Sequence, residues 1–186
     1  MAKIYLQRHT QPDIDSNICY GVSDIALHAD FESLHLPKVL QGVKELNFSK
    51  IYSSPLCRCL RLAKEIQKSK NIDSIIIDDR TVELNFGEWE LAEWNEIYNS
   101  EKGKEWFADY LNCSTLQGES FADMLLRAES FLVDITKLNL DVLVVTHSGF
   151  MRAVMVAAGT IKLQEAFDVK INYGDILELE NIYNER

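Results

Sequence analysis

Apolar runs of strand length alternate along this chain with longer stretches in which apolar residues recur every three or four positions. Such alternation is typical of βαβ units, in which helices cover both faces of a parallel sheet. Strands are predicted at 3–7, 50–53, 74–78, 141–146, 167–171 and 175–179, and helices at 34–47, 56–70, 121–138 and 150–158. The region 90–112 has helical spacing but is rich in Trp, Tyr and Glu, which suits a cap over a sheet edge. The pattern predicts a three-layer α/β fold with a mostly parallel central sheet.

No shift in composition divides the chain. Its 186 residues include three prolines and no Pro/Gly-rich linker, so we expect a single domain over 1–186. No apolar run approaches the roughly 20 residues that a membrane-spanning helix needs. The four cysteines form no C-x-x-C pair, and the first residues lack a signal-peptide pattern. We therefore expect a protein of the reducing cytoplasm, with free thiols.

Two short polar segments directly follow predicted strands. Arg8, His9 and Thr10 follow the first strand, and His147 follows the apolar run at 141–146. Ligands of open α/β sheets bind beyond the carboxyl ends of the strands, so both histidines are expected at one site. An imidazole can act as a nucleophile or a proton carrier, and a guanidinium presents a fork of donors that matches phosphate oxygens. This arrangement indicates phosphate chemistry.

Two more strand ends add a cation and an acid to the same edge. A serine–proline pair marks a helix entry after the second strand and places Arg58 in the first helical turn. Glu83 lies in an acidic loop after the third strand. Arg61, one turn later, and Glu88 and Glu90, in the same loop, are alternatives that spacing does not distinguish. Each of these groups, taken alone, is also consistent with a solvated side chain.

The net charge of −10 makes nucleic acids and anionic membranes unfavourable partners. It also requires that any phosphate site be built from close, aimed cations such as Arg8. Other phosphatase types fit poorly, because the chain has no cysteine followed by arginine six positions later, no nucleotide-binding glycine loop and no His-Glu-x-x-His zinc motif. The acidic segment 13–15 lacks the apolar strand that should precede an aspartate nucleophile. We expect neither a metal nor a cofactor.

The order and context of these segments resemble the histidine phosphatase superfamily, whose fold is phosphoglycerate-mutase-like. Arg8-His9-Thr10 is similar to the Arg-His-Gly signature of that family, although Thr10 stands where glycine is commoner. Residues 54–58 resemble its Ser-Pro-Leu-x-Arg segment, Glu83 with 86–90 resembles its acid loop, and 145–149 completes the set.

The resemblance implies a phosphomonoesterase that works through a phosphohistidine intermediate. It implies that His9 is the nucleophile, that Glu83 is the general acid and base, and that His147 binds the phosphate and the transition state. Arg8 and Arg58 are implied to bind substrate. An adjacent guanidinium disfavours imidazolium, so Arg8 should help to keep His9 neutral, whereas His147 is expected to be charged. A substrate dianion beside Glu83 would favour its protonated form.

Within the superfamily the chain is most similar to the α-ribazole-5′-phosphate phosphatases of cobalamin synthesis, through the segments 19–24 and 118–121. We therefore expect a small-molecule phosphate ester as substrate, either α-ribazole 5′-phosphate or cobalamin 5′-phosphate. A broad-specificity sugar-phosphate phosphatase is the alternative, and a phosphoglycerate mutase or a catalytically silent phosphate-binding protein is less favoured. Thr10, Tyr20, Gly21 and Ser148 are further candidates for substrate contacts.

Aromatic residues of the cap could form a leaving-group pocket, or they could simply pack the cap. The residues that suit either role are Tyr20, Trp89, Trp94, Trp106, Phe107 and Tyr110. Their spacing does not distinguish the two roles, although aromatic walls suit a flat base. We also expect the last strand to offer a sheet edge for a homodimer.

Overall fold

The computed structural model describes residues 2–179, and its centre is a five-stranded sheet. The strands are β1 (Ile4–Arg8), β2 (Lys50–Ser53), β3 (Ile75–Ile77), β4 (Val142–Thr146) and β5 (Ile176–Leu179). They lie in the order β3-β2-β4-β1-β5. The first four are parallel to their neighbours, and β5 pairs antiparallel with β1. The predicted mostly parallel sheet is therefore confirmed, and β5 is one of its edges; the homodimer stays a prediction.

In the part of the chain that the structure describes, six α-helices connect and cover the strands. They are α1 (Leu36–Val43), α2 (Cys57–Lys70), α3 (Trp94–Asn99), α4 (Glu101–Ala108), α5 (Phe121–Thr136) and α6 (Ser148–Ala157). The predicted helical cap at 90–112 is present as α3 and α4. Between residues 2 and 179, none of the helices has the length and apolarity to span a membrane.

Two hydrophobic cores lie on opposite faces of the sheet. Alternate residues of β1 point to opposite faces, so Ile4 and Leu6 join the core under α5 and α6, and Tyr5 joins the core under α1 and α2. The residues of β4 alternate in the same way, and all five are buried. The strand predicted at 141–146 is confirmed, and its apolar residues on both faces suit its central position between two layers of helices.

Two predicted elements differ from the structure. Residues 167–171 do not form a strand: they belong to turns, and the carbonyls of Val169 and Ile171 accept hydrogen bonds from arginine side chains. The helix predicted at 34–47 begins with a π-helical turn at Phe31–His35 and is α-helical only over Leu36–Val43. Pro37 lies in the first turn of α1, where its missing N–H costs no hydrogen bond.

The register of the central strands brings their carboxyl ends together. Arg8 pairs with Thr146 across β1 and β4, and the His9 N–H donates to the Thr146 carbonyl over 2.9 Å. On the other side of β4, the Ser54 N–H donates to the Val145 carbonyl over 3.0 Å. The residues that follow β1, β2 and β4 therefore meet at one edge of the sheet.

Candidate active site

A cavity of about 260 Å³ opens at this edge, with Arg8, His9, Glu83 and Ser148 among its lining residues. Behind it, the ring centroids of His9 and His147 are 5.1 Å apart. The structure thus brings together the two histidines that the sequence places at separate strand ends. The cavity has the mixed apolar and polar lining of a small-molecule site.

His9 is a buried, neutral imidazole with a defined tautomer. Its Nδ1 lies 2.7 Å from the Thr10 carbonyl oxygen, which can only accept, so Nδ1 carries the proton and Nε2 keeps its lone pair. Burial holds the pKa of His9 well below its usual value, and the charges of Arg58 and Arg8 lower this pKa further, while the Thr10 carbonyl acts in the opposite direction. A free lone pair on Nε2 and an uncharged ring both suit a nucleophile.

His147 has no exposed surface, and its Nε2 lies 2.9 Å from Ser54 Oγ and 3.4 Å from Cys59 Sγ. Burial, followed by the nearby charge of Arg58, holds its pKa well below the usual value. The expectation that His147 is charged is therefore wrong for the free site, because the cation would be desolvated beside an arginine. An incoming phosphoryl dianion would reverse that balance by supplying negative charge.

Arg8 is fixed in orientation by the segment 167–173, far away in sequence. Its Nη1 donates to the Ile171 carbonyl over 2.6 Å, and its Cζ lies 3.9 Å from the centre of the Tyr173 ring. Its buried Nε has no partner within the described residues. A guanidinium held at one nitrogen and stacked on one face keeps its remaining donors for an anion.

Arg58 lies deeper, with no exposed surface, and its nitrogens bind loop carbonyls. Nη1 donates to Ser23 O over 2.7 Å and Nη2 to Gly21 O over 2.5 Å. Its charge nonetheless acts on both histidines, as their lowered pKa values show. Arg61, the alternative, is at the surface and pairs with Glu32 over 2.6 Å. Arg58 is therefore the arginine of α2 whose charge reaches the site, although it is not among the cavity-lining residues.

Glu83 is the acid of the loop that reaches the cavity. One carboxylate oxygen accepts the Leu84 N–H and the other accepts the Gly149 N–H, both over 3.0 Å. A Cβ at position 149 would lie 2.2 Å from Glu83 Oε1, so glycine is required for this approach. The alternative Glu88 is exposed and bonds Gln117. Glu83 is therefore positioned by the first turn of α6.

Glu90, the other alternative, has a different role. Its carboxylate accepts the N–H groups of Gly21, Val22, Ser23 and Phe86, together with the Ser23 hydroxyl. Burial would raise the pKa of Glu90, but these hydrogen bonds outweigh it and hold the pKa below its usual value. Glu90 thus fixes the loop in which the carbonyls of Gly21 and Ser23 hold the Arg58 guanidinium.

Two of the candidate substrate contacts are buried and do not line the cavity. Gly21 is buried behind the cavity wall: its N–H binds Glu90, its carbonyl binds Arg58, and an added Cβ would lie 1.8 Å from the Leu84 carbonyl oxygen. It is a packing residue, and its glycine character reflects that contact. Thr10 is 1% exposed and is not among the cavity-lining residues, and its buried hydroxyl has no hydrogen-bond partner within residues 2–179.

The other two candidates do line the cavity, along with two residues that the sequence analysis missed. Tyr20 and Ser148 are both in the wall. Tyr173 also lines it, and its hydroxyl is 2.7 Å from that of Tyr20. Arg152 lies one turn after Ser148 on α6 and donates to the Val169 carbonyl over 3.0 Å. Helical spacing from Ser148 could have identified Arg152; nothing local marked Tyr173.

The cap contributes an apolar wall to the same cavity. Trp94 and Trp106 line it, and Trp106 is also buried in the core, as is Trp89. Tyr110 packs on Phe167, with ring centroids 4.4 Å apart. Both roles left open by the sequence, cavity wall and packing, are therefore present among the cap aromatics. Within residues 2–179, no cluster of three His, Cys, Asp or Glu side chains is arranged to hold a metal ion.

Comparisons with known proteins identify the family of this chain. The model of the histidine phosphatase superfamily (branch 1) matches residues 4–185. Phosphoserine phosphatase 1 of Hydrogenobacter thermophilus is 30% identical over 162 residues, which cover 84% of this chain and 76% of the relative.

Solved structures confirm the phosphoglycerate-mutase-like fold. Phosphoserine phosphatase of Entamoeba histolytica superposes with a TM-score of 0.83 at 23% identity, covering 96% of this chain and 90% of the other. Alpha-ribazole phosphatase of Shigella flexneri gives a TM-score of 0.83 at 17% identity with the same coverages of 96% and 90%. At these identities the likeness concerns the fold.

Proposed function

Because this chain belongs to the histidine phosphatase superfamily and is a phosphoric monoester hydrolase, we propose that it works through a phosphohistidine formed on His9. The observation that carries the proposal is the neutral imidazole of His9, with Nδ1 held by the Thr10 carbonyl and Nε2 free, beside a cavity that also contains Glu83 and Arg8. An imidazole in this state can attack phosphorus without first losing a proton.

The proposed reaction has two steps, which are formation of the phosphohistidine and its hydrolysis. In the first, the His9 Nε2 lone pair forms a bond to phosphorus while the bond to the leaving oxygen breaks, and the Glu83 carboxyl gives its proton to that oxygen. In the second, the Glu83 carboxylate takes a proton from water, the resulting hydroxide attacks phosphorus, and the P–N bond breaks to release phosphate. The Thr10 carbonyl stabilises the positive charge that the ring carries between the steps.

Three groups would stabilise the charge on the transferring phosphoryl oxygens. Arg8 offers its unbound donors, Arg58 adds a buried positive charge, and His147 becomes a donor at both nitrogens once the dianion favours its protonation. In a partly desolvated pocket each unit pair at 4 Å contributes about 4 kcal/mol, against about 1 kcal/mol in water. Nearby cations therefore outweigh the distant negative surface.

The cavity wall favours an uncharged, flat leaving group. Its apolar side is formed by Ile18, Leu84, Phe86, Trp94, Trp106 and Met124. Glu83 is the acidic side chain among the lining residues of this described cavity, and proton transfer already engages it. A leaving group that carries an ammonium would therefore have no free carboxylate in this cavity wall with which to form an ion pair. This chemistry supports α-ribazole 5′-phosphate, or cobalamin 5′-phosphate, as the substrate, in cobalamin synthesis.

Phosphoserine is the second candidate, because the 30% identical relative is named a phosphoserine phosphatase. Arg152 is the feature of this chain that favours it, since a guanidinium in the cavity wall could bind a carboxylate. A broad sugar-phosphate phosphatase would instead need polar groups on the wall that Trp94 and Trp106 occupy.

The intermediate can be tested by trapping the phosphoenzyme. Quenching with detergent at alkaline pH during turnover of p-nitrophenyl phosphate should trap a phosphoenzyme that later acid treatment destroys. It should be absent from His9→Ala, while His28→Ala, changed outside the cavity, should retain it. Turnover should persist in the presence of a chelator. An undiminished rate in His9→Ala would place the nucleophile elsewhere.

The substrate can be tested by comparing kcat/KM for α-ribazole 5′-phosphate, L-phosphoserine, glucose 6-phosphate and p-nitrophenyl phosphate. We expect α-ribazole 5′-phosphate to exceed phosphoserine by about tenfold or more, since an unpaired buried ammonium costs well over 1.4 kcal/mol. A preference for phosphoserine that Arg152→Gln abolishes would establish the second candidate. Equal values for all four would establish broad specificity.

A further inference from the structure

A second, open groove of about 520 Å³ adjoins the catalytic cavity on the side of the cap. It is lined by Trp94, Asn95, Tyr98, Trp106 and Phe107. Trp94 and Trp106 also line the catalytic cavity. The two hollows thus share two indole side chains, so the outer groove lies directly against the wall expected to hold the leaving group.

A chain of ring contacts runs from the cavity to the surface. Phe86, in the cavity wall, has its ring centroid 5.3 Å from that of Trp94 and 6.1 Å from that of Trp106. Phe107 lies 5.0 Å from Trp106 and 5.4 Å from Tyr98, again between centroids. These edge-to-face contacts hold each ring in a fixed orientation. They form one rigid aromatic surface that leads out of the active site.

The outer end of this surface is not needed to fill the core. Tyr98 is 60% exposed and Phe107 is 40% exposed, whereas Trp106 is buried. Clustered exposed aromatic side chains typically mark a binding surface rather than a packing requirement. None of the five lining side chains is charged, so the groove suits a neutral, flat group and not a phosphate or an ammonium.

We propose that this groove is an outer subsite for the distal part of the substrate's leaving group. Its occupant is a neutral planar moiety, joined to the phosphate by a spacer that is long enough to pass the shared indoles of Trp94 and Trp106. The proposal rests on the proposed phosphatase function and narrows its substrate class to extended esters with an apolar end.

A series of ω-phenylalkyl phosphates with increasing numbers of methylene groups tests the subsite. Every member releases a primary alkoxide, so the chemical step is the same and only the reach of the phenyl ring changes. We expect kcat/KM to rise by about tenfold between the phenylmethyl and the longest member, as the ring reaches the edge-to-face partners in the groove. In the double variant Tyr98→Ser/Phe107→Ser, the ratio of kcat/KM for the longest ester to kcat/KM for the shortest should fall toward one.

The matched control is Leu126→Ser/Val133→Ser, which removes two exposed apolar side chains from α5, on another surface. It should keep the full length dependence. If the double groove variant fails to fold, Tyr98→Ser alone, at the more exposed position, should lower the same ratio.

Two results would overturn the proposal while leaving the proposed function intact. One is a wild-type kcat/KM that does not depend on spacer length, although p-nitrophenyl phosphate is hydrolysed. The other is a length dependence that survives in the groove variants; if those variants also change sedimentation from dimer to monomer, the groove is an interface between copies. Loss of turnover on all substrates in the wild type would instead refute the proposed function.

Discussion

Replacing Glu90 by glutamine should remove hydrogen bonds that fix the loop at 21–23, which positions the buried Arg58. The two carboxylate oxygens accept five hydrogen bonds, three at Oε2 and two at Oε1. Glutamine keeps one oxygen, but its NH₂ group cannot accept, so at least two donors lose their partner. Each buried donor left unsatisfied costs about 1–3 kcal/mol, so we expect Glu90→Gln to lower the free energy of unfolding by about 2–6 kcal/mol.

The same change should impair catalysis beyond its effect on stability. The carbonyls of Gly21 and Ser23 hold the Arg58 guanidinium, and the Glu90 carboxylate holds the N–H groups of those two residues. Loosening them should let Arg58 move, and about 1 Å of misplacement can cost on the order of a hundredfold in rate. The assays are urea unfolding and kcat/KM under fully native conditions, with exposed Glu93→Gln as control.

The pH dependence provides an independent check on Glu90. Its pKa is depressed in the folded protein, so the carboxylate contributes stability that is fully present above about pH 4.5 and is lost as pH falls toward the folded value. The difference in unfolding free energy between wild type and Glu90→Gln should therefore shrink below about pH 4.5. A difference within about 0.5 kcal/mol at pH 7 would refute the reasoning, because it would show that these hydrogen bonds are not needed.

Three further predictions concern the site directly. In ¹³C-histidine NMR, His9 and His147 should stay neutral from pH 8 to pH 6, because both are buried near arginines. Saturating phosphate should raise the titration midpoint of His147. A midpoint at or above 6.5 for either histidine without phosphate would contradict the expected neutral state. Glu83→Gln should lower kcat by about 10²–10⁴ on alkyl phosphates but far less on p-nitrophenyl phosphate, whose leaving group needs no proton; equal losses would indicate a positioning role. Tyr173→Leu removes the ring stacked on Arg8 and should lower kcat/KM by about 2- to 30-fold. Tyr173→Phe keeps the ring, so its kcat/KM should lie within about twofold of the wild-type value. A comparable loss in both variants would exclude the ring as the cause.

The parts of the fold and site that the sequence predicts are those set by local patterns. A continuous apolar run identifies β4, and a serine–proline pair places Arg58 in the first turn of α2. Polar residues directly after β1 and β4 identify His9 and His147, since parallel strands end at the same edge. These inferences need no knowledge of distant contacts.

The parts that it does not predict depend on partners far along the chain. Residues 167–171 have a strand-like composition, but the carbonyl of Ile171 is taken by Arg8, more than 150 positions earlier in sequence. The choice between Glu83 and Glu90 depends on which one meets the first turn of α6 and which meets the loop at 21–23. The neutral state of His147 follows from complete burial, which spacing cannot reveal.

The way its arginines are anchored supports the proposed phosphate site in a chain of net charge −10. Arg8, Arg58 and Arg152 donate to main-chain carbonyls, and none of them enters an ion pair within the described part of the chain. Surface arginines such as Arg61 and Arg80 pair instead with carboxylates. A carbonyl fixes a guanidinium without cancelling its charge, so the three inner arginines keep their positive field for a phosphate, and the excess of acids is spread over the surface, where water screens it. The anchoring carbonyls of Gly21, Ser23, Val169 and Ile171 are therefore as much part of the anion site as the arginines, and a backbone shift in either loop should weaken phosphate binding without changing any charge.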